Sequence, residues 1–275
     1  MYNPEKPTFE NTVEKEKEPS KRIFFIRHPS REWFDHLVDE ATARGEDIET
    51  DLPVDQEGLK MVGFLSDYLK SELPKDLKDK EYSIYSSPVK RAKQEAIILH
   101  KNIELSKLDE PTLPIPKNNE VENLDFFSEV PLTTNKEYAL DLIKRAEERG
   151  IHSVLLWFEE KGEELLPRFQ KKLEQVKKGI DFLKNQSTKL DVVISHRLVI
   201  ALTVWASNNS EKMKDENYKL TIEDLKEIFD YSGRLPFTSI TELDIIDDEI
   251  KVKKIGETPH LKGDEEKEKL IKGKY

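Results

Sequence analysis

The sequence predicts an α/β protein, a three-layer αβα sandwich with a mainly parallel central sheet. The first observation is a pair of short apolar runs, residues 23–26 and 192–194, neither of which alternates polar with apolar residues. Unbroken apolar runs of this length are typical of strands that helices cover on both faces. The second observation is a strand-like run at residues 82–85 that leads into a helical pattern with Ala92 and Ala96. Strands that alternate with helices favour a parallel sheet.

A histidine lies just beyond the C-terminal end of each of the two apolar runs. Arg27 and His28 follow the first run, and Ser195 and His196 follow the second. Ligands of open α/β sheets bind beyond the carboxyl ends of the strands. If the two strands are parallel, both imidazoles lie on one rim of the sheet, and we expect the functional site there.

The third segment adds a second arginine to the same rim. Ser87 is a natural N-cap and Pro88 suits the first helical position, so we expect a helix to begin there. Arg91 then lies in the first turn, where a positive charge is unfavourable unless an anion is nearby. Together with Arg27, it offers two guanidinium groups for bidentate binding of a phosphate.

The remaining elements are predicted from periodicity and turn residues. Thr221 followed by Asp224 predicts a capping box at a helix start. Asp247 and Asp248, flanked by apolar residues, predict the turn of a final hairpin. Helical insertions are expected at about residues 34–50 and 136–186. The second insertion carries an apolar stripe typical of core packing, which comprises Leu166, Phe169, Leu173, Val176, Ile180 and Leu183.

The distribution of charge indicates one domain with charged ends. Of the 275 residues, 37% are charged, which exceeds the usual share of about one quarter. Much of this excess lies at the ends of the chain and in helices. We therefore predict a disordered charged tail at residues 1–20, a folded domain at residues 21–262 and a charged C-terminal tail at residues 263–275.

Composition also excludes several classes of function. The net charge of −11 and the pI near 5.3 argue against nucleic-acid binding, which depends on basic surfaces. The absence of cysteine excludes disulfides, iron–sulfur clusters and a thiol nucleophile. The sequence contains no signal-peptide core and no apolar run of transmembrane length, so we expect a cytoplasmic protein with no membrane partner. The oligomeric state stays open.

Four motifs, in order along the chain, resemble those of the histidine phosphatase superfamily, which includes the phosphoglycerate mutases and many small phosphomonoesterases. IRHPS resembles the Arg-His-Gly signature, and SSPVKRAKQEA resembles the block with the second arginine. FFSEVPL resembles the segment that carries the acid, and VVISHRLVI resembles the strand that carries the second histidine. The resemblance spans about residues 21–262 and implies a phosphoglycerate mutase-like fold. The combination is more specific than any single motif.

The resemblance also implies a role for each motif residue. His28 is the nucleophile, Glu129 is the proton donor, and His196 is a catalytic group placed against the phosphate. Arg27 and Arg91 are the ligands of the phosphate. This chemistry uses neither a metal nor a cofactor, and its partner is a small phosphorylated substrate.

Two residues depart from the family pattern beside the histidines. Pro29 stands in place of the usual glycine after the nucleophile, and Arg197 replaces the glycine after the second histidine. Proline lacks an N–H but keeps its carbonyl, which we expect to accept the ring N–H of His28 and leave the other ring nitrogen free to attack. Ser30 and Arg197 are further candidates for binding the substrate phosphate.

Three functions stay open at this point. The first is a metal-independent phosphatase that hydrolyses a small phosphomonoester through a phosphohistidine on His28. The second is a phosphate-binding protein in which Pro29 and Arg197 have abolished turnover, and the third is a phosphoglycerate-type mutase. The presence of both a nucleophile and an acid favours catalysis. A metal site built on the two histidines is disfavoured, because no Asp or Glu lies at a ligand spacing and the arginines oppose a cation.

Overall fold

The computed structural model describes residues 18–29, 54–72, 81–106, 122–128, 141–142, 144–146, 148–149, 153–263 and 265–271. The predicted insertion at residues 34–50 and most of the predicted N-terminal tail lie outside these ranges. The described residues contain all the strands discussed below and the helices that cover them.

The strands of the described chain form one six-stranded sheet. They are β1 (Lys21–Arg27), β2 (Tyr82–Ser86), β3 (Glu122–Asn123), β4 (Leu190–Ser195), β5 (Ile240–Ile246) and β6 (Glu249–Glu257). Their order is β3-β2-β4-β1-β5-β6. The first four strands in this order pair in parallel, and β5 and β6 add an antiparallel hairpin at one edge. The predicted mainly parallel sheet is confirmed.

Helices lie on both faces of this sheet. The described helices are α1 (Gln56–Glu72), α2 (Lys90–Ser106), α3 (Ser153–Lys184), α4 (Arg197–Asn208), α5 (Ser210–Lys214), α6 (Ile222–Gly233) and α7 (Glu265–Ile271). Successive side chains of a strand point to opposite faces. Phe25 and Val193 pack with residues of α3, α4 and α6, whereas Phe24 and Val192 pack with residues of α1 and α2. The predicted αβα sandwich is therefore confirmed.

The register of the two central strands places the two histidines side by side. In the parallel pair of β1 and β4, Arg27 is the partner of Ser195. The next residue on each strand is a histidine, and the His28 N–H donates to the Ser195 carbonyl at 2.9 Å. Both imidazoles consequently leave the sheet at the same rim, at the carboxyl ends of the parallel strands.

Two local predictions outside the site are also confirmed. Asp247 and Asp248 have φ values of 52° and 65°, and they connect β5 to β6 in a two-residue turn. Two positive φ values in succession are the signature of a type I′ turn, whose twist matches the flanking strands. Thr221 and Asp224 exchange side-chain and backbone hydrogen bonds in a capping box at the start of α6.

Helix α3 contains the predicted apolar stripe and positions the segment before Glu129. Phe169, Leu173 and Val176 are fully buried in the core beneath the sheet. A Cβ at Gly179 would lie 2.6 Å from Cζ of Phe127, in the 3₁₀ turn Asp125–Phe127. Only glycine permits this close approach of the helix to the turn.

The C-terminal region differs from the solvated tail predicted from residue 263 onwards. Helix α7 forms there, and the buried side chain of Leu270 packs with Met61 and Leu261. The leucine supplies an apolar contact to this charged segment, and burial of such a side chain favours docking by about 1.5–3 kcal/mol. Within the described ranges, no helix has the length and apolarity that a membrane span requires.

Candidate active site

The His28 imidazole lies just beyond β1 in a defined tautomer. Its Nδ1 is 2.8 Å from the Pro29 carbonyl oxygen, which can only accept, so Nδ1 carries the proton. Its Nε2 accepts from Nε of Arg91 at 3.2 Å, and an arginine nitrogen can only donate. Nε2 therefore holds the free electron pair. This is the arrangement that the sequence predicted from the carbonyl of Pro29.

Arg91 lies between the two imidazoles. It is fully buried in the first turn of α2, and its Nη2 is 3.3 Å from Nδ1 of His196. The helix begins at Lys90, after a turn at Pro88 and Val89, and not at Pro88 as predicted. At the rim of the sheet, this one guanidinium bonds to both histidines.

Ser87 orients the second histidine, and its Oγ also accepts from the Val89 N–H at 3.3 Å, the bond that the predicted N-cap forms with the second residue after it. Its Oγ is 2.7 Å from Nε2 of His196, while Val89 provides the first carbonyl of the helix by accepting from the Lys93 N–H. Since Arg91 donates to Nδ1 of His196, the ring proton lies on Nε2 and is donated to Ser87. The rings of His28 and His196 are 5.1 Å apart between centroids.

Arg27 completes the cluster from the end of β1. Its Nη1 donates to the Leu235 carbonyl at 2.5 Å, and its guanidinium carbon lies 3.8 Å from the ring centroid of Phe237. The His28 ring also faces Phe237, with 5.8 Å between centroids. The structure thus brings together Arg27, His28, Arg91 and His196, and all four are buried.

The surroundings of His28 keep its imidazole neutral. Burial is the main cause that lowers its pKa well below the usual value, followed by electrostatic interactions with Arg91, His196 and Arg27. The hydrogen bond to Pro29 acts in the opposite direction and is the smallest of these influences. A neutral ring with a free electron pair on Nε2 is the form that attacks an electrophile.

Two predicted site residues, Ser30 and Glu129, lie outside the described residues. The chain just before Glu129 is held at the same rim, because Oγ of Ser195 donates to the Phe127 carbonyl at 2.9 Å. Ser128 accepts from the buried Lys172 ammonium at 3.0 Å. Burial lowers the pKa of Lys172 to about 8. The role of Glu129 as an acid stays a prediction.

The last predicted site residue, Arg197, is half-buried and opens α4 directly after His196. Sequence reasoning missed two residues of the cluster, Ser87 as a partner of His196 and Phe237 as a partner of Arg27. The position of Ser87 directly after β2, on the same rim, was the available signal. Among the described residues, no three potential metal ligands form a group that could hold an ion.

Solved structures share this fold at low sequence identity. Phosphoglycerate mutase from Bacillus anthracis str. Sterne is 16% identical, with a TM-score of 0.52 over 87% of this chain and 94% of its own. A putative alpha-ribazole-5'-P phosphatase from Escherichia coli str. K-12 substr. MG1655 is 15% identical, with a TM-score of 0.52 over 86% of this chain and 98% of its own. No protein-family model matches the sequence, and neither does any curated protein. These similarities confirm the phosphoglycerate mutase-like fold.

Proposed function

We propose that this protein is a metal-independent phosphatase that hydrolyses a small phosphomonoester through a phosphohistidine on His28. One observation carries the proposal: Nδ1 of His28 is bonded to the Pro29 carbonyl, and its Nε2 electron pair faces Arg91 beside His196. A shared fold does not decide function, which depends on the residues of the site. A neutral nucleophile among fixed cations is suited to attack on a phosphoryl group.

In the first step, Nε2 of His28 forms a bond to phosphorus as the bond to the leaving alcohol breaks. The imidazole gains positive charge in this step, and its hydrogen bond to Pro29 stabilises that charge. Arg91 and Arg27 provide donors for the equatorial oxygens, which carry the negative charge of the transition state. His196 adds a donor to them once its Nδ1 is protonated. The phosphoryl oxygens replace the imidazole nitrogens as acceptors for Arg91.

Glu129 has the role of proton donor in this proposal. Its carboxylic acid protonates the leaving oxygen, and the resulting carboxylate then takes a proton from water. That water attacks phosphorus, the P–N bond breaks, and His28 returns to its neutral form with release of inorganic phosphate. The anchoring of Phe127 to Ser195 and of Ser128 to Lys172 supports an acid at this rim.

The experiment is a turnover assay with a panel of phosphorylated metabolites and p-nitrophenyl phosphate. We expect release of inorganic phosphate by the wild type, in the presence or absence of a chelator, and none by His28→Ala. The matched control is His100→Ala, because His100 lies on α2 away from the cluster and its loss leaves turnover intact. Turnover by His28→Ala, or activity that disappears with the chelator, would contradict the proposal.

The same assay distinguishes the two other functions. A phosphate-binding protein binds vanadate but hydrolyses no member of the panel. A mutase returns the phosphoryl group to an alcohol of the substrate, so isomerisation of a phosphorylated acid exceeds release of phosphate. Transfer to water is the result that we expect.

A further inference from the structure

The segment Leu235–Ser239, between α6 and β5, holds Arg27 from several sides. The Leu235 carbonyl accepts from the guanidinium, and the ring of Phe237 covers one face of it at 3.8 Å. Cations within about 6 Å of an aromatic centroid are attracted to the ring face. The plane of the guanidinium is therefore fixed by one hydrogen bond and one stacked ring.

The backbone of Arg27 is tied to the same segment. The Thr238 N–H donates to the Arg27 carbonyl at 3.0 Å, and the Arg27 N–H donates to the Ser239 carbonyl at 3.1 Å. These two bonds continue the pairing of β1 with β5 beyond the regular strands. Four of the five residues of this segment thus hold the side chain and the main chain of the arginine.

The segment itself has a strained backbone at Thr238. This residue has a φ of 54°, in the left-handed region that a β-branched side chain rarely adopts. Its buried Oγ1 donates to the Phe237 carbonyl at 2.7 Å and is 2.9 Å from Nε2 of His260. Because the hydroxyl proton is used on Phe237, His260 is the donor in the second bond.

The environment of His260 keeps its ring in the form that donates this hydrogen bond to Thr238. It is buried in the 3₁₀ turn Pro259–Leu261, and burial together with the charge of Lys267 lowers its pKa to about 3. The ring is therefore neutral at physiological pH, with its proton on Nε2. The hydrogen bond to Thr238 holds the segment at the point where its backbone is strained.

We propose that Phe237 and Thr238 are positioning residues for Arg27. The ring of Phe237 sets the plane of the guanidinium, and the bond from His260 keeps Thr238 in the conformation that presents this ring. The inference goes beyond the proposed function and rests on it only where phosphate binding is measured. Phe237 acts through Arg27 and is not a catalytic residue.

A first test needs no ligand. In a ¹⁵N NMR spectrum, the Nε–Hε resonance of Arg27 is identified by its absence in Arg27→Ala. We expect the stacked ring to shift this proton upfield in the wild type, and the shift to disappear in Phe237→Leu. Phe64→Leu is the matched control, since Phe64 packs in the same apolar cluster as Phe237. A resonance that is the same in Phe237→Leu and in the wild type would overturn the inference.

A second test uses vanadate as the probe for phosphate binding. We expect Phe237→Leu to weaken vanadate binding by about 3- to 30-fold, in line with a desolvated cation–π contact. In an Arg27→Ala background the same substitution is expected to have no further effect. An equal loss in both backgrounds would show that Phe237 acts independently of Arg27. If wild-type protein fails to bind vanadate, the proposed function is contradicted, and the NMR test still decides the positioning role.

The contribution of the His260 bond is tested by a pair of substitutions at Thr238. Thr238→Gly loses the hydroxyl but adopts a positive φ without strain, whereas Thr238→Val loses the hydroxyl and keeps the strain. We expect the glycine variant to retain the upfield Arg27 resonance and the valine variant to lose it. The reverse order would overturn this part of the inference.

Discussion

Replacing Arg91 with methionine removes the buried cation that bonds to both imidazoles. Nε of Arg91 donates to His28 at 3.2 Å, and Nη2 donates to His196 at 3.3 Å. Methionine has a similar unbranched stem and a high helix propensity, so the start of α2 is preserved. The substitution therefore isolates the contribution of the guanidinium group.

The size of the effect follows from the bonds that the guanidinium offers to a phosphoryl group. A hydrogen bond to a charged group contributes about 1.5–3 kcal/mol, and a guanidinium forms two such bonds side by side. Loss of both lowers kcat/KM by about 10²- to 10⁴-fold. Arg91→Lys keeps the charge but loses the paired donors, so its loss of activity is expected to be smaller.

Arg91→Met also changes the titration of His28. The Arg91 charge is the second cause, after burial, that lowers the pKa of His28, so its removal raises that pKa. The assays are kcat/KM for p-nitrophenyl phosphate and an NMR titration of the His28 ring. Lys93→Met, a half-buried position on the same helix, is the control and keeps both quantities unchanged. An unaltered kcat/KM in Arg91→Met, or a lower pKa of His28, would contradict a role of the guanidinium in binding the phosphoryl group.

Three further predictions concern the acid, its supporting helix and a buried carboxyl group. Glu129→Gln is expected to reduce kcat about 10²- to 10⁴-fold for an alkyl phosphate and much less for p-nitrophenyl phosphate, whose leaving group needs no acid. An equal loss for both substrates would argue against Glu129 as the proton donor. Gly179→Ala forces a methyl group against Phe127, so we expect it to lower the free energy of unfolding in urea by about 1–3 kcal/mol and to lower kcat. Gly63→Ala is the control, since nothing lies within 4 Å of the new Cβ, and it is expected to lower neither quantity. Glu95 is buried with both carboxyl oxygens unpartnered in the described chain, and burial raises its pKa well above the usual value. Between the two pKa values, the folded state holds a proton on Glu95 that the unfolded state has released. The stability that this proton contributes is fully present below the pKa of the unfolded state, and it is lost as pH rises through the pKa of the folded state. Glu95→Gln is therefore expected to raise Tm by about 2–8 °C at pH 8 and to have little effect at pH 4, as measured by calorimetry; a variant that melts lower at pH 8 would contradict this.

The sequence predicted features that depend on local pattern. Unbroken apolar runs located β1 and β4, and a histidine after each run was enough to place both imidazoles at one rim. The aspartate pair of the β5–β6 turn and the capping box of α6 are equally local, since each depends on residues within one turn. Such features are predictable because neighbouring residues determine them.

The features that could not be predicted depend on residues far apart in the chain. Ser87 accepts from the nearby Val89 N–H, as its residue type indicates, but its hydroxyl is also bonded to His196, 109 positions away. The contact between Phe237 and Arg27 likewise joins two segments that meet only because β5 pairs with β1. Leu270 docks a charged segment by contact with Met61, which no local pattern indicates. Tertiary packing decides each of these cases.

The role of His28 as the nucleophile is tested by trapping the phosphorylated intermediate. Wild-type protein is mixed with a ³²P-labelled phosphomonoester that it hydrolyses, quenched within milliseconds in alkali and digested for peptide analysis. We expect one labelled peptide that contains His28, with a phosphoryl group that is stable in base and lost in acid, and no label in His28→Ala. A label on another residue would show that His28 is not the nucleophile. The same conclusion would follow if the active wild type never became labelled and the His28→Ala variant still turned over the substrate.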